Sequence, residues 1–432
     1  MNQMMRMWVA VALGFSALPA AAELSTIEQR IVAAVKSRTA DAIKLLEQSV
    51  NINSGTMNHD GVREVGRLFR AEFDQLGFHT RWIEMPPAML RAGHLVAQRE
   101  GTQGQRLLLI GHLDTVFEKD SPVQLWKREG DRVRGQGVSD MKGGDVIIVE
   151  ALRALHQVGA LENTSISVIF SGDEERAGSP LSVARAEMIA AAKRSDVALA
   201  FEGTVRDSSG NDTGTIGRRA SGGFSLEVKG KQGHSAGVFG EDGYGAVYET
   251  ARILNAFREQ LIEPDLTFNP GVILGGTEIA YDDAASRGSA FGKTNVIART
   301  ALVKGDLRYL SVEQRDQAHA RMRDIVAKSL PGTSAEISFR ETYPPMTPTP
   351  GNLKLLESYS KASSDAGLGG IAALPPGLRG AGDIQFAAPY ADSLDGLGAR
   401  GSGAHSPDED LDVGSIEQAA IRTAIMIYRL TR

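Results

Sequence analysis

The chain carries the stretch RLLLIGHLDTV at residues 106–116. Its first part is a continuous apolar run, which is typical of a strand that is buried on both faces of a sheet. A similar run, VALA, lies at residues 197–200. Helical periodicity separates such runs, as at residues 144–157. This alternation of strands and helices predicts an α/β domain built in layers.

The start and the middle of the chain differ in their patterns of apolar residues. Residues 26–50 and 61–76 have amphipathic spacing and predict two helices at the start of the folded chain. Residues 214–341 instead predict the order β-α-β-β-α-β, which is the ferredoxin-like plan. The predicted strands are 223–230, 270–280, 298–309 and 333–340, and the predicted helices are 245–260 and 312–330. We therefore predict that residues 214–341 form an inserted α+β domain between two parts, residues 23–213 and 342–432, of one layered domain.

The first 22 residues have the three regions of a signal peptide. Arg6 gives a positive start, residues 8–18 are mainly apolar, and Ala20 and Ala22 fit an A-x-A-like cleavage site. A membrane anchor is the alternative, but this apolar stretch is far shorter than the roughly 20 residues that cross a bilayer. We predict a signal peptide at residues 1–22, a periplasmic or secreted mature protein, and no membrane attachment once the signal is removed.

Composition limits both the chemistry and the partners. The chain is 42% hydrophobic and 23% charged, which provides enough apolar material for a globular core. Its formal net charge is -6 and no long run of Lys and Arg occurs, so we exclude nucleic acid as a partner. Cysteine is absent, so any metal ligands must be His, Asp or Glu, and the chain has eight His residues.

Four motifs place a His or an acidic residue where a strand ends or a helix begins, and a fifth places a His in a Gly-rich loop before the last helix. They are GHLDTV with His112 and Asp114, SDMKGG with Asp140, GDEER with Glu174 and Glu175, FEG with Glu202, and GAHSPDE with His405. In open α/β sheets, binding sites lie beyond the carboxyl ends of the strands. Imidazole and carboxylate ligands together suit zinc, with cobalt or manganese as substitutes.

Each motif also has an ordinary structural interpretation. His112 could be a hydrogen-bonded residue at a strand end, Asp140 a helix N-cap, and residues 173–175 a solvated acidic turn. A single-zinc metalloprotease helix is excluded, because H-E-x-x-H does not occur in the chain. Arg218 and Arg219, at the start of the predicted inserted domain, are interpreted as solvated side chains.

In chain order, the five motifs resemble those that define the M20 metallopeptidases, and in particular the glutamate carboxypeptidase branch. The resemblance runs from His112 to His405 and covers nearly all of the predicted mature chain. It implies a zinc-exopeptidase-like three-layer catalytic domain at residues 23–213 and 342–432. It also implies that residues 214–341 form a ferredoxin-like lid and dimerisation domain, which would make the protein a homodimer.

The resemblance implies two divalent cations, with Zn²⁺ favoured and Co²⁺ or Mn²⁺ as alternatives. The implied ligands are Asp140 bridging both ions, His112 and Glu202 on one ion, and Glu175 and His405 on the other. Glu174 would be the general base. The carboxylate of Asp114 would accept a hydrogen bond from the second imidazole nitrogen of His112, which would fix the orientation of that ring.

Three residues of the inserted domain are implied to act on the substrate. His234 in GHSA would reach the site of the other subunit and polarise the scissile carbonyl, while Asn295 and Arg308 would hold the substrate carboxylate. As ordinary residues, His234 would be a surface-turn histidine and Arg308 a strand-end arginine. Residues 380–384, GAGDI, depart from the G-G-x-S/T-D-A stretch of relatives, which leaves the side-chain preference open.

The resulting hypothesis is a di-zinc hydrolase that acts on a small peptide or an N-acyl amino acid. It would cleave an amide bond next to a free carboxylate and release a C-terminal amino acid such as glutamate. An N-acyl amino-acid deacylase and a dipeptidase of the same family are alternatives. A periplasmic binding module for peptides or amino acids is the non-enzyme alternative, but the complete set of ligands and base argues against a decayed enzyme.

Overall fold

The computed structural model describes residues 24–122 and 125–432. The predicted signal peptide, residues 1–22, lies outside the described residues. Among the helices of the described part, none is both long enough and apolar enough to cross a membrane.

Helices and strands alternate along most of the described chain. The described α-helices are α1 (Thr26–Ser37), α2 (Thr39–Val50), α3 (His59–Gln75), α4 (Gly143–Gln157), α5 (Leu181–Ala184), α6 (Ala186–Ala192), α7 (Gly245–Gln260), α8 (Val312–Val326), α9 (Pro350–Asp365), α10 (Ile384–Ala387) and α11 (Val413–Leu430). The described strands are β1 (His79–Ile83), β2 (His94–Arg99), β3 (Gln103–His112), β4 (Lys127–Glu129), β5 (Arg132–Arg134), β6 (Thr164–Ser171), β7 (Val197–Ala200), β8 (Thr213–Gly214), β9 (Ser221–Gly230), β10 (Thr267–Gly276), β11 (Glu278–Asp282), β12 (Arg287–Phe291), β13 (Thr300–Arg308), β14 (Thr333–Tyr343), β15 (Ala372–Ala373), β16 (Asp392–Leu394), β17 (Gly401–Ser402) and β18 (Asp410–Asp412).

The central sheet has the strand order β1-β2-β6-β3-β7-β16. Its inner strand β3 runs parallel to β6 and to β7, and β7 runs parallel to β16. At the other edge, β2 is antiparallel to both β6 and β1. Because β3, β6 and β7 are parallel, their carboxyl ends lie at one edge of the sheet, and the residues that follow them are brought together there.

Helices cover both faces of this sheet. Successive side chains of a strand point to opposite faces. Leu107 and Leu109 of β3 therefore pack into a core with residues of α4 and α11. Leu108 and Ile110 pack into a second core with residues of α6 and α10. The prediction of a three-layer α/β domain with strands buried on both faces is confirmed.

The middle of the chain forms a second sheet with its own core. The order of this sheet is β10-β13-β9-β14, and all neighbouring strands are antiparallel. Helices α7 and α8 pack on one face of this sheet, over a core that includes Phe224, Leu226 and Met322. The inserted ferredoxin-like α+β domain is therefore confirmed as a fold. We refer to it below as the inserted domain.

Two predicted elements are divided in the structure. The predicted strand 270–280 ends as β10 at Gly276, and β11 then pairs with β12 in an additional hairpin. The predicted helix 26–50 is two helices, because Arg38 between them has a non-helical conformation with φ -114° and ψ 4°. Arg38 Nε lies 3.4 Å from a carboxylate oxygen of Glu150 on α4. The break lets α1 and α2 each pack against α4 while the apolar period continues, so the sequence pattern does not reveal it.

Candidate metal centre

His112 is the last residue of β3 and its side chain is buried, with 1% exposure. Its Nε2 atom lies 3.2 Å from Asp140 Oδ1 and 3.7 Å from Glu202 Oε1. The residue before it must be small, since a Cβ atom on Gly111 would lie 2.1 Å from a carboxylate oxygen of Asp145. The strand therefore places Nε2 of the imidazole ring close to two carboxylates.

Asp140 lies at the centre of the cluster. Its backbone is not helical, with φ -124° and ψ 89°, and α4 begins only at Gly143. The N-cap interpretation of Asp140 is therefore wrong. Its carboxylate instead faces two imidazoles, with Oδ1 3.2 Å from His112 Nε2 and Oδ2 3.0 Å from His405 Nε2.

The loop that carries Asp140 is held by Glu409, which the sequence patterns did not single out. Glu409 is completely buried, and its carboxylate accepts hydrogen bonds from the backbone N–H groups of Gly137 (3.2 Å), Ser139 (2.8 Å) and Asp140 (3.0 Å). The signal in the sequence was an acidic residue four positions after His405 in the motif GAHSPDE. Glu409 is a positioning residue, because it touches the backbone that orients Asp140.

His405 and Glu175 complete the cluster on the other side of Asp140. His405 Nε2 lies 3.1 Å from Glu175 Oε2. His405 has a φ of 64°, in the left-handed region that few non-glycine residues adopt. The other oxygen, Glu175 Oε1, is buried and has no hydrogen-bond partner among the described residues.

Asp114 connects His112 to the acidic doublet. Its carboxylate accepts hydrogen bonds from Thr56 Oγ1 (2.6 Å), Glu174 N (2.9 Å) and Glu175 N (3.1 Å). His112 Nδ1 lies 3.0 Å from the carbonyl oxygen of Asp114 and 3.6 Å from its carboxylate. The hypothesis that the carboxylate is the acceptor for His112 is corrected, because that carboxylate is turned toward the backbone of the doublet.

The residues form two groups that could each hold a cation. The possible ligand atoms of His112, Asp140 and Glu202 lie within 4.8 Å of one another, and so do those of Asp140, Glu175 and His405. A buried carboxylate oxygen without a partner, such as Glu175 Oε1, is costly, and a cation would satisfy it. Imidazole and carboxylate donors that share one carboxylate fit two divalent cations.

The pKa values of the clustered side chains are strongly shifted by burial and by neighbouring groups. Burial raises the pKa of Glu202 and that of Glu175, each to about 7. Burial also acts to raise the pKa of Asp140, but hydrogen bonds with His112 and His405 outweigh it and hold this pKa below its usual range. Hydrogen bonds with Asp140 and Glu175 raise the pKa of His405 to about 11. Protons therefore compete with cations for these atoms.

The carboxylate of Glu174 belongs to neither group of possible ligands. Burial raises the pKa of Glu174 well above its usual value, although His112 opposes this shift. Its backbone is fixed by the hydrogen bond to Asp114. A fixed carboxyl group with a raised pKa beside a metal site has the properties of a general base.

The acidic doublet is supported from behind by a buried ion-pair network. Arg185 is 1% exposed, and its guanidinium pairs with Asp173 and with Asp383 Oδ1, the latter at 2.7 Å from Nε. Asp383 also accepts a hydrogen bond from Ser171 Oγ at 2.5 Å. Asp383 lies in the stretch GAGDI, and the contacts described for its carboxylate are with Arg185 and Ser171. The sequence patterns indicated neither Arg185 nor this role.

The three residues predicted to act on the substrate lie in the inserted domain, and the contacts described for them are with other residues of that domain. His234 is exposed and its Nδ1 accepts a hydrogen bond from Ala236 N at 3.1 Å. The carbonyl oxygen of Asn295 accepts a hydrogen bond from Ser235 N, which brings the His234 and Asn295 loops together. Arg308 pairs with Asp306, with Nε 2.9 Å from Oδ2. In the described chain, none of the three has a hydrogen bond or ion pair with the metal-ligand cluster.

The stretch GHSAG around His234 also matches the G-x-S-x-G pattern of serine hydrolases. In those enzymes the serine lies on a sharp turn between a strand and a helix of the central sheet. Here residues 235–237 form a 3₁₀ turn in the inserted domain, so that context is missing.

Arg218 is not solvated as predicted. Its side chain is 3% exposed, its Nε lies 2.7 Å from Asp395 Oδ2, and its Nη1 donates to the carbonyl oxygens of Gly380 (2.8 Å) and Ala381 (2.9 Å). Asp395 lies 177 residues further along the chain, so the local sequence carried no sign of this partner.

Comparison with known proteins gives three further findings. The sequence model of the family described as Peptidase family M20/M25/M40 matches residues 108–429. Carboxypeptidase G2 of Pseudomonas sp. (strain RS-16) is 27% identical over 394 residues, which cover 90% of this chain and 89% of that protein. Succinyl-diaminopimelate desuccinylase of Gluconobacter oxydans (strain 621H) is 26% identical over 366 residues, which cover 81% of this chain and 88% of that protein.

Among solved structures, the fold is similar to that of the YXEP protein of Bacillus subtilis, described as a dinuclear metal binding peptidase from the M20 family. The two folds have a TM-score of 0.64 and 14% sequence identity, over 92% of this chain and 99% of that chain. At this identity the likeness concerns the fold, and its extent includes both the layered domain and the inserted domain.

Proposed function

Since this chain belongs to peptidase family M20/M25/M40 and is therefore a hydrolytic enzyme, we propose that it is a di-zinc carboxypeptidase. It hydrolyses the amide bond of a small peptide or N-acyl amino acid next to a free carboxylate, and it releases a C-terminal amino acid such as glutamate. The observation that carries this proposal is that Asp140 belongs to both groups of possible ligands. The similarity to carboxypeptidase G2 supports the choice of a carboxypeptidase.

In this proposal, His112, Asp140 and Glu202 would hold one cation, and Asp140, Glu175 and His405 would hold the other. When bound, paired divalent cations lower the pKa of a shared water molecule and stabilise negative charge on the carbonyl oxygen of the substrate. Zn²⁺ suits the mixture of imidazole and carboxylate donors, and Co²⁺ or Mn²⁺ would occupy the same atoms.

Glu174 moves the proton in this mechanism. Its carboxylate takes a proton from the attacking water and delivers that proton to the amine that leaves. Asp114 keeps Glu174 and Glu175 in fixed positions by accepting hydrogen bonds from both backbone N–H groups. The two adjacent residues can therefore have different roles, because Glu175 would bind a cation while the carboxylate of Glu174 would face the substrate.

The inserted domain supplies the remaining groups in a homodimer. His234 is exposed, and among the described residues it has no hydrogen bond or ion pair with the cluster of its own chain, which supports a role in the site of a second copy. There His234 would polarise the scissile carbonyl. Asn295 and Arg308 would hold the substrate carboxylate. Sedimentation velocity at micromolar protein should give a dimer, and a monomer at all concentrations would contradict this assembly.

An N-acyl amino-acid deacylase is the second candidate, because the chain is also similar to a succinyl-diaminopimelate desuccinylase. The same cation pair and the same base would serve both reactions, and the group that the substrate presents next to the amide would distinguish them.

One experiment tests the proposal and separates the two candidates. Metal content of the active protein should be close to two divalent ions per chain, and removal of the ions by a chelator should abolish hydrolysis. A panel of N-acyl glutamates, N-acyl derivatives of neutral amino acids, succinylated amines and dipeptides should then give the highest kcat/KM for N-acyl glutamates. A preference for succinylated amines would favour the deacylase, and active protein without bound metal would refute both.

We also propose that the mature protein is periplasmic or secreted, on the strength of the signal-peptide pattern in residues 1–22. Protein recovered from the periplasm or the medium of an expressing bacterium should begin at Glu23. Recovery of uncleaved protein from the cytoplasm alone would contradict export.

A further inference from the structure

Arg379 lies in the loop between β15 and α10, and its guanidinium has no counter-ion of its own among the described residues. Its Nε and Nη2 atoms are buried, and within residues 24–122 and 125–432 they have no hydrogen-bond partner. An arginine side chain stays charged at any physiological pH. A buried cation without a hydrogen-bonded partner is costly, so this arrangement calls for an anion.

The nearby carboxylate of Asp395 is already in use. It pairs with Arg218, whose Nε lies 2.7 Å from Asp395 Oδ2. Arg218 also donates to the carbonyl oxygens of Gly380 and Ala381, which directly follow Arg379. These hydrogen bonds hold the loop that carries Arg379. The two arginines differ, because Arg218 has structural partners, whereas the buried Nε and Nη2 atoms of Arg379 have none in the described chain.

The position of Arg379 connects it to the reaction. It lines a cavity of about 170 Å³ together with Asp140, Glu202, Ser402 and Ala404. Two of these are proposed metal ligands, and Ala404 directly precedes His405. A substrate group in this cavity would therefore lie beside the cation pair.

Asp140 and Glu202 do not offset the charge of Arg379 in the loaded enzyme. Both are among the charged groups that act on Arg379. When they hold cations, their negative charge is balanced by those ions. The guanidinium of Arg379 then remains as a surplus positive charge on the wall of the substrate cavity.

We propose that Arg379 binds the side-chain carboxylate of an acidic amino acid and so makes the enzyme select substrates that release glutamate or aspartate. The proposal rests on the proposed function, in which Asn295 and Arg308 of the inserted domain take the α-carboxylate. Arg379 belongs to the layered domain, so the two carboxylates would be held from different domains. A guanidinium can bind such a carboxylate through two parallel hydrogen bonds.

The test compares binding of L-glutamate and L-glutamine to the zinc-loaded protein by calorimetry. The two ligands share the α-carboxylate and have similar shape, so they differ in the group that Arg379 would recognise. The wild type should bind L-glutamate about 10- to 100-fold more tightly, as expected for charge-assisted hydrogen bonds. Arg379→Met should lose this preference and keep the affinity for L-glutamine. Arg194→Gln, which removes a positive charge from a side chain that is 56% exposed, should keep the preference.

Thermal unfolding without ligand separates recognition from a structural role. Since Arg379 Nε and Nη2 have no partner in the described fold, Arg379→Met should have a melting temperature equal to or above that of the wild type. A melting temperature several degrees lower would identify Arg379 as a structural residue and overturn the proposal. The proposal would also be overturned if the wild type failed to bind L-glutamate, bound both ligands equally, or discriminated between them without Arg379.

The outcomes also separate this proposal from the proposed function. If the wild type discriminates through Arg379 but hydrolyses no N-acyl glutamate, the subsite stands and the carboxypeptidase assignment fails. If Arg379→Met hydrolyses N-acyl glutamates with an unchanged KM, the carboxypeptidase assignment stands and the subsite fails.

Discussion

The carboxylate of Asp114 lies 2.9 Å from the backbone nitrogen of Glu174 and accepts its hydrogen bond. The same carboxylate accepts a second hydrogen bond from Glu175 N, at 3.1 Å. A residue at the end of the first strand motif thereby fixes the backbone of both the proposed base and a proposed ligand. The relationship explains why an aspartate, with two acceptor oxygens, is suited to this position.

Asp114→Asn should therefore impair the site without removing a ligand. An asparagine side chain has a single acceptor oxygen, so its NH₂ group would face one of the donors that Asp114 now satisfies. We expect zinc affinity to fall about 10- to 100-fold, with a loss of kcat, as is usual when a partner behind metal ligands is changed. Competition with a chromophoric chelator measures the affinity. Wild-type affinity and turnover in this variant would show that the two hydrogen bonds to Asp114 do not position the doublet.

Glu174→Gln should keep both cations and lose turnover. The amide cannot take the proton from water, and removal of a general base typically costs about 10²- to 10⁴-fold in rate. Elemental analysis should give the same metal content as in the wild type, because Glu174 belongs to neither group of possible ligands. Glu162→Gln, at an exposed position, serves as the control with the same change of charge. Unchanged kcat in Glu174→Gln would exclude Glu174 as the base.

Glu409→Ala should destabilise the loop that carries Asp140. The substitution leaves the backbone N–H groups of Gly137, Ser139 and Asp140 without their acceptor. Loss of an acceptor for buried donors costs about 1–3 kcal/mol, and a charged acceptor raises the cost. Chemical unfolding of the metal-free protein measures this loss. Asp408→Ala is the matched control, because the side chain of Asp408 is 83% exposed, and equal stability of the two variants would argue against the role of Glu409.

Metal binding should release protons, and the number should increase as the pH falls. Below pH 11, His405 carries a proton in the metal-free protein, because Asp140 and Glu175 raise its pKa to about 11. Below pH 7, Glu175 and Glu202 are also protonated, since burial raises the pKa of each to about 7. A cation must displace each of these protons, so zinc affinity should rise with pH, by roughly tenfold per unit for each proton displaced.

This pH dependence can be measured by zinc titration at pH 8 and pH 6 in buffers of different ionisation enthalpy. We expect about one to two more protons released per chain at pH 6 than at pH 8. The same number of released protons at both pH values would contradict raised pKa values of the two glutamates.

Arg308→Ala should mainly raise KM. If Arg308 holds the substrate carboxylate in both the ground state and the transition state, its loss weakens binding and leaves kcat nearly unchanged. The variant also frees Asp306, its present partner at 2.9 Å, so Asp306→Asn is a useful control for the loss of the ion pair alone. Normal kinetics in Arg308→Ala would remove Arg308 from the substrate site.

The sequence by itself determined the layered fold and the set of residues at its edge. The continuous apolar run at residues 107–110 predicted a strand buried on both faces, and the structure has this strand there. Parallel strands bring their carboxyl ends to one edge, so the residues that follow them are expected to meet. For this reason His112, Glu175 and Glu202 could be singled out from short local motifs. Asp140 and His405 do not follow these strands, and their selection as ligands rested on the resemblance of all five motifs to the M20 metallopeptidases.

Only the tertiary structure decided how these side chains are held and which of them are paired. The backbone of Asp140 is fixed by Glu409, which lies 269 residues further along the chain. Arg218 is buried against Asp395, although its local sequence suggested a solvated position. Arg379 has no hydrogen-bond partner for its buried atoms among the described residues. The hydrogen bonding of Asp140, Arg218 and Arg379 could not be predicted for one physical reason. Hydrogen-bond partners and burial depend on contacts between segments that are distant in sequence. A local sequence pattern indicates only the face of a helix or strand on which a residue lies.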